Sequence, residues 1–306
     1  MIPTKATLDG FSMAYQDLPG DGTPWLFVHG VGSSMTTWGD LPQALAGIGR
    51  RVISVDLIGH GSSEGGNGDF SLGANASALR DLLDLLEIDQ VHLVGHSFGG
   101  GVSLQFSYQF PERVRSLVLI SSGGLGRDVH VGLRAASLPG SEWFLRAAVS
   151  PRVVTALGWS ATALSKVGLR HRGISARTLT KLEQLQDEQR LNGFVCTVRS
   201  VVGPQGQRVQ ALDKLGRLRP EDVLIIWGDA DSMVPMAHGV TAHELLPGSH
   251  FVCVPDAGHH PHDDAPDRVY LELLAHLGRT ENERVAHREP PSPYLGERQP
   301  HGDTQV

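Results

Sequence analysis

The sequence predicts an α/β protein: a mostly parallel, twisted sheet flanked by helices, with a helical cap inserted between two strands. Three observations carry this. Short apolar runs recur at Trp25–Val28, Val52–Val55, Val91–Val94, Leu117–Ile120, Val223–Trp227 and Phe251–Val254. Most are continuous rather than alternating, as expected of strands covered on both faces. Helical patterns separate them. Leu79, Leu82, Leu83 and Leu86 fall on one helix face, and Tyr270, Leu273, Leu274 and Leu277 repeat that spacing after the capping residue Asp264 and the early-turn Pro266. Strand alternating with helix implies right-handed crossovers. Thirdly, this alternation stops near Leu125 and resumes near Arg219.

The elements follow in order. Ala6–Leu8 and Met13–Leu18, either side of Asp9-Gly10, read as an antiparallel hairpin at the sheet edge. Residues 1–124 and 219–280 form the expected core, and 125–218 the cap, with turn signals at Pro139-Gly140, Pro151 and Gly203-Pro204-Gln205-Gly206. The large apolar residues of the cap include Trp143, Phe144, Leu145, Leu157 and Trp159. Some are expected to face a cleft that the cap closes, with Trp143 and Phe144 as the pocket residues. From Glu281 to Val306 the chain turns charged and Pro-rich (Glu289-Pro290-Pro291-Ser292-Pro293), and a disordered tail is expected there. No internal repeat is visible.

Composition excludes several function classes. With 33 acidic against 26 basic residues the net charge is −7, and no Lys/Arg stripe offers a nucleic-acid footprint. No stretch approaches the roughly 18 apolar residues of a membrane span, and the first ten residues lack the apolar centre of a secretion signal. The two cysteines, Cys196 and Cys253, are far apart and lack metal-ligand spacing. They are expected to be reduced, buried thiols of a cytoplasmic protein. No cofactor or metal is expected. The glycines at 99–101 lack the strand-loop-lysine context of a phosphate loop.

The most informative segment is Gly95-His96-Ser97-Phe98-Gly99, which follows the apolar run Val91–Val94 and opens a helix-competent stretch. A serine held on a sharp strand-to-helix turn stands clear of the sheet, and the helix start presents N–H groups to an oxyanion. Such a hydroxyl needs a base, and the base an orienting acid. Loops at the carboxyl ends of later strands hold both residue types. Asp229 and Asp231 follow Val223–Trp227, whereas His259, His260 and His262 follow Phe251–Val254.

With these segments the chain resembles the α/β-hydrolase superfamily over nearly everything except the tail. The matching pieces are His29-Gly30-Val31-Gly32, Asp56-Leu57-Ile58-Gly59-His60-Gly61-Ser62-Ser63, Gly95–Gly99, Gly228–Pro235 and Gly258-His259. The resemblance implies Ser97 as nucleophile, Asp231 (three residues after Gly228) as acid, and His259 (directly after Gly258) as base. It further implies the backbone N–H groups of Val31 and Phe98 as the oxyanion hole, a structural role for His29, and loop scaffolding by Asp56 and His60.

The activity so implied is carboxylic-ester hydrolysis through an acyl-enzyme, on a small molecule with an apolar acyl or aryl group. Hydrolysis of a carbon–carbon bond in a diketone-type ring-cleavage product is the alternative. Ser122-Gly123-Gly124-Leu125-Gly126 resembles that group's pattern, although His96 stands where Asn is common. Cofactor-free peroxidation, and a slow-turnover ligand receptor on the same fold, are further readings. Ser97 argues against dehalogenase and epoxide-hydrolase chemistry, which needs a carboxylate nucleophile.

Overall fold

The computed structural model describes residues 3–65, 68–156, 180 and 182–286, with side chains as far as Glu281. The cap residues Leu157 and Trp159 and the tail beyond residue 286 lie outside the described residues. One sheet contains β1 (Thr4–Leu8), β2 (Phe11–Leu18), β3 (Asp21–Val28), β4 (Arg50–Val55), β5 (Val91–His96), β6 (Val114–Ile120), β9 (Val223–Gly228) and β10 (His250–Val254). Their spatial order is β1-β2-β4-β3-β5-β6-β9-β10. Every neighbouring pair from β4 to β10 is parallel, whereas β1–β2 and β2–β4 are antiparallel. The first hairpin turns at Asp9 and Gly10, both at positive φ (34° and 86°), the backbone that a tight two-residue hairpin turn requires.

The continuous apolar runs divide by alternation between two cores. Leu26, Val28, Ile53, Val55, Leu117, Leu119, Ile225 and Trp227 face one side of the sheet. There they meet α2 (Leu72–Leu85), α3 (Phe98–Gln109) and α7 (Ala237–Leu245). Trp25, Phe27, Val52, Val94, Val118, Ile120, Leu224 and Ile226 face the other, against α1 (Leu41–Gly47) and α9 (Pro266–Ala286), with the short α8 (Pro261–Asp264) packed beside α9. Full burial of one such side chain stabilises by about 1.5–3 kcal/mol, so the two layers dominate the energetics.

Between β6 and β9 the chain leaves the sheet. It forms α4 (Val131–Ala136), α5 (Ser141–Ala148) and α6 (Glu188–Val201), then a small hairpin of β7 (Val202–Gly203) and β8 (Gly206–Gln207) around Pro204-Gln205. The segment is therefore not wholly helical. Its own apolar cluster joins Val129, Ala136, Val198 and Val202, with Leu145 packed against them.

Two further expectations need correction. Helix α9 runs to Ala286, past the expected start of the tail at residue 281. Buried His276, Leu277 and Thr280 anchor its last turns, and Glu281 pairs with Arg50 at 2.9 Å. Cys253 is exposed and Cys196 only half-buried, both as free thiols. Cys253 sits on β10, the last strand in the sheet order.

Candidate active site

Ser97 is the pivot between β5 and α3, with φ 53° and ψ −117°. This is a strained backbone for a residue with a Cβ, of the kind that costs on the order of 1–3 kcal/mol. The surroundings hold it there. Its N–H donates to the Ile120 carbonyl at 3.0 Å, and its own carbonyl accepts from Gly100, Gly101 and Gly123. The flanking glycines are required by contact. A Cβ on Gly95 would lie 2.5 Å from the Gly99 carbonyl oxygen, and one on Gly99 would lie 2.2 Å from that of Val28.

Three loop ends converge on the serine. His259 Nε2 lies 2.9 Å from Ser97 Oγ, and His259 Nδ1 lies 2.8 Å from Asp231 Oδ2. The carboxylate only accepts, so Nδ1 carries the proton and Nε2 is left to accept from the hydroxyl. The other oxygen, Asp231 Oδ1, accepts from the N–H groups of Met233 (2.8 Å) and Val234 (3.0 Å). The Asp231 side chain is fully buried, whereas Asp229 is exposed and makes no contact with His259. Trp227, at the end of β9, donates its indole N–H to the Val234 carbonyl at 3.1 Å and so ties this loop to the sheet. Asp264 accepts from Gly258 N–H at 2.9 Å, holding the turn just before His259.

A group of imidazoles lies behind His259. His96 Nε2 is 2.7 Å from the His259 backbone carbonyl, and the rings of His259, His260 and His262 stand 4.7–5.0 Å from that of His96, centroid to centroid. Burial, then the neighbouring His262, His260 and His259, hold His96 well below the ordinary histidine range. Among the described residues no group of His, Cys, Asp or Glu is arranged to hold a metal ion.

The remaining expected residues form the walls. Gly30 abuts Ser97: a Cβ there would lie 3.1 Å from the serine Cβ. Val31 follows it, and both Val31 and Phe98 border the same cavity as Ser97. As the first residue of α3, Phe98 has no partner for its amide within the helix. His29 Nε2 accepts from Leu57 N–H at 3.0 Å, so Nδ1 bears the proton and donates to the Gly30 carbonyl at 2.7 Å. Asp56 accepts from Met35 N–H (2.6 Å) and Ser62 N–H (2.8 Å), with burial pushing its carboxyl up. His60 Nδ1 donates to the Ile58 carbonyl at 2.9 Å, and burial, then the neighbouring His29, lower it to about 4. These residues hold loops rather than face the serine.

The cavity beside Ser97 has a volume of about 50 Å³. Its walls include Leu72, Gly101, Val129, Val202 and Val234, with Gln207 as the polar side chain besides the serine. Trp143 and Phe144 are not among them. They are 72% and 81% exposed, which corrects the expected pocket. Ser141, Leu145 and Val149 take the inward stripe of α5 at i, i+4 and i+8, and this turns Trp143 and Phe144 outward. The sequence reading missed Gln207, although the Gly203–Gly206 turn signal marked the hairpin that delivers it. Gln207 Oε1 accepts from Gly124 N–H at 2.8 Å.

Residues 23–266 match the family described as the alpha/beta hydrolase fold. The chain belongs to the α/β-hydrolase fold family. Among its relatives is the uncharacterized protein Rv2715 of Mycobacterium tuberculosis, 37% identical over 272 residues, covering 88% of this chain and 78% of that one. The dihydrolipoyllysine-residue acetyltransferase component of the acetoin cleaving system of Pseudomonas putida is 31% identical, covering 90% and 69%. The 2-hydroxy-6-oxo-6-phenylhexa-2,4-dienoate hydrolase of Burkholderia cepacia is 26% identical, covering 84% and 89%. Among solved structures, a thermophilic esterase from Thermogutta terrifontis superposes with a TM-score of 0.65 at 24% identity, covering 92% of this chain and 98% of that one, and shows the shared fold. The chain is a hydrolase of this family, and among its described residues no helix is long and apolar enough to cross a membrane.

Proposed function

We propose that this α/β-hydrolase cleaves a carboxylic ester of a small molecule by two-step acyl transfer, with Ser97, His259 and Asp231 as the catalytic residues. The unbroken hydrogen-bonded series Ser97–His259–Asp231, opening onto an apolar cavity, is the observation that carries this reading. His259 Nε2 takes the hydroxyl proton as Ser97 Oγ bonds to the acyl carbon, and the carbonyl π electrons move to oxygen. The N–H groups of Val31 and Phe98 receive that oxyanion. Collapse expels the alcohol, which takes its proton from the His259 imidazolium, and leaves an ester on Ser97. Water then gives a proton to His259 and attacks the same carbon. The second collapse returns the proton to Ser97 and frees the acid. Asp231 holds His259 in the required tautomer throughout and stabilises its charged form. No cofactor or metal enters this scheme. Two free thiols are consistent with a reducing, cytoplasmic setting.

A second reading, carbon–carbon bond hydrolysis of a ring-cleavage diketone, gains support from the Burkholderia cepacia relative. It also gains support from the position of Gly123 and Gly124 in the cavity wall. The test is a panel of p-nitrophenyl esters run beside a dienoic diketone, with mass spectrometry of the protein after a fluorophosphonate. Sustained ester turnover together with an adduct on Ser97 supports the first reading. Turnover of the diketone alone supports the second. Product release that stalls near one equivalent per protein points to a ligand receptor.

A further inference from the structure

The cavity beside Ser97 holds more information than its apolar character. Among the described residues no charged side chain lines it, so those walls offer a carboxylate or ammonium on the bound group no charged partner. Its volume of about 50 Å³ is small. An apolar cavity of about 150 Å³ is what a benzene ring occupies. By that ratio this one takes about two carbon atoms. Its size is set by identifiable atoms. Gly101, on the wall formed by α3, faces Leu72 so closely that a Cβ there would lie 3.3 Å from Leu72 Cδ2 and 3.7 Å from Cδ1. Val129 and Val202, buried in the small apolar cluster of the inserted segment, form another wall. Gln207 locks that wall to the core by accepting from the Gly124 amide.

We propose that this cavity is an acyl pocket selective for short, uncharged, aliphatic acyl groups, from acetyl to butyryl, and that it rejects aryl and longer acyl chains. The proposal rests on the acyl-transfer reading above. Selectivity comes from the space that Gly101, Leu72, Val129 and Val202 bound. Each methylene gained or lost in such a pocket discriminates by about tenfold or more.

The test uses the full-length chain and measures kcat/KM for p-nitrophenyl acetate, butyrate, hexanoate, octanoate and benzoate. Activity should peak within acetate to butyrate and fall at least tenfold by hexanoate, with benzoate lower still. Two variants should move the profile in opposite directions. Gly101→Ala fills the pocket and should lower butyrate relative to acetate about tenfold. Alanine is the better helix former there, and the Leu72 side chain has to give by a few tenths of an ångström to admit its Cβ, so the melting temperature is measured alongside. Val202→Ala enlarges the pocket and should raise hexanoate relative to acetate, with Val129→Ala as the substitute if that variant does not fold. Labelling of Ser97 by ethyl and octyl fluorophosphonates, read by intact mass, gives an answer that needs no turnover, and the ethyl reagent should react faster. Octanoate or benzoate matching acetate, or octyl labelling matching ethyl, overturns the pocket. Failure of every ester and of both labels overturns the acyl-transfer reading instead.

Discussion

His96 Nε2 donates to the backbone carbonyl of His259 across 2.7 Å, so the residue before the serine, at the end of β5, fixes the main chain of the imidazole on the loop after β10. A carbonyl only accepts, so His96 holds its proton on Nε2 and its Nδ1 is bare. That Nδ1 is buried without a hydrogen-bond partner, against Gly30, where a Cβ would lie 2.9 Å away. The ring is thus confined to the neutral form that keeps the contact.

His96→Phe keeps the ring and removes the donor. It is expected to lower kcat by about tenfold or more with KM nearly unchanged, because the imidazole of His259 loses its fixed distance to Ser97. The melting temperature, measured alongside, separates this from general loosening. An unaltered kcat in a folded variant denies His96 the positioning role.

Asp231→Asn should leave the protein folded and reduce turnover by about 10⁴, since an amide favours the wrong tautomer of His259. Asp229→Asn, on an exposed side chain, should change turnover by less than about twofold. Steady-state kinetics on the two variants decide between them.

The φ of 53° at Ser97 is easier for glycine. Ser97→Gly is expected to abolish turnover and raise stability by about 1 kcal/mol, the released strain exceeding the extra freedom of the unfolded chain. Urea unfolding of the two proteins at pH 7.5 measures it. A less stable glycine variant would mean that the hydroxyl contributes more to folding than the strain removes.

Buried histidines make the fold acid-sensitive. Burial is the first cause in both His60, lowered to about 4 with His29 next, and His276, lowered to about 3 with Arg279 next. In the unfolded chain both titrate near 6.5. Between pH 6.5 and 4 the unfolded chain therefore binds more protons, and stability must fall as pH falls through that window. Asp56, pushed up by burial, acts in the opposite sense just above its ordinary range. Urea midpoints at pH 7.5, 6 and 5 should decline. His276→Phe should flatten the slope, and a slope equal to that of the wild type would remove His276 from the account.

Trp143→Ser and Phe144→Ser should leave the acyl-length preference unchanged, because both rings point away from the cavity. Repeating the ester panel on these variants checks this, and a shifted optimum would return them to the pocket.

Much of this protein was legible before any coordinates. Periodicity exposed the strands, because continuous apolar runs are what a sheet buried on both faces demands. The elbow at Ser97 was legible because its glycines answer to local contacts, Gly95 against Gly99 and Gly99 against Val28, which lie close to the motif or on the adjoining strand. Position after the later strands left two aspartates and three histidines, and the family resemblance narrowed these to Asp231 and His259. The pocket was not legible. Leu72, Val129, Val202 and Gln207 come from separate elements that no local pattern joins, and they meet only through packing. The same limit misread α5: its composition named Trp143 and Phe144, but only packing against the cluster of Val129, Ala136, Val198 and Val202 decided that Leu145 faces inward. Local sequence set the elements and the reactive turn, since those depend on neighbours along the chain. Tertiary structure alone decided which faces meet, since burial is shared between elements far apart in sequence.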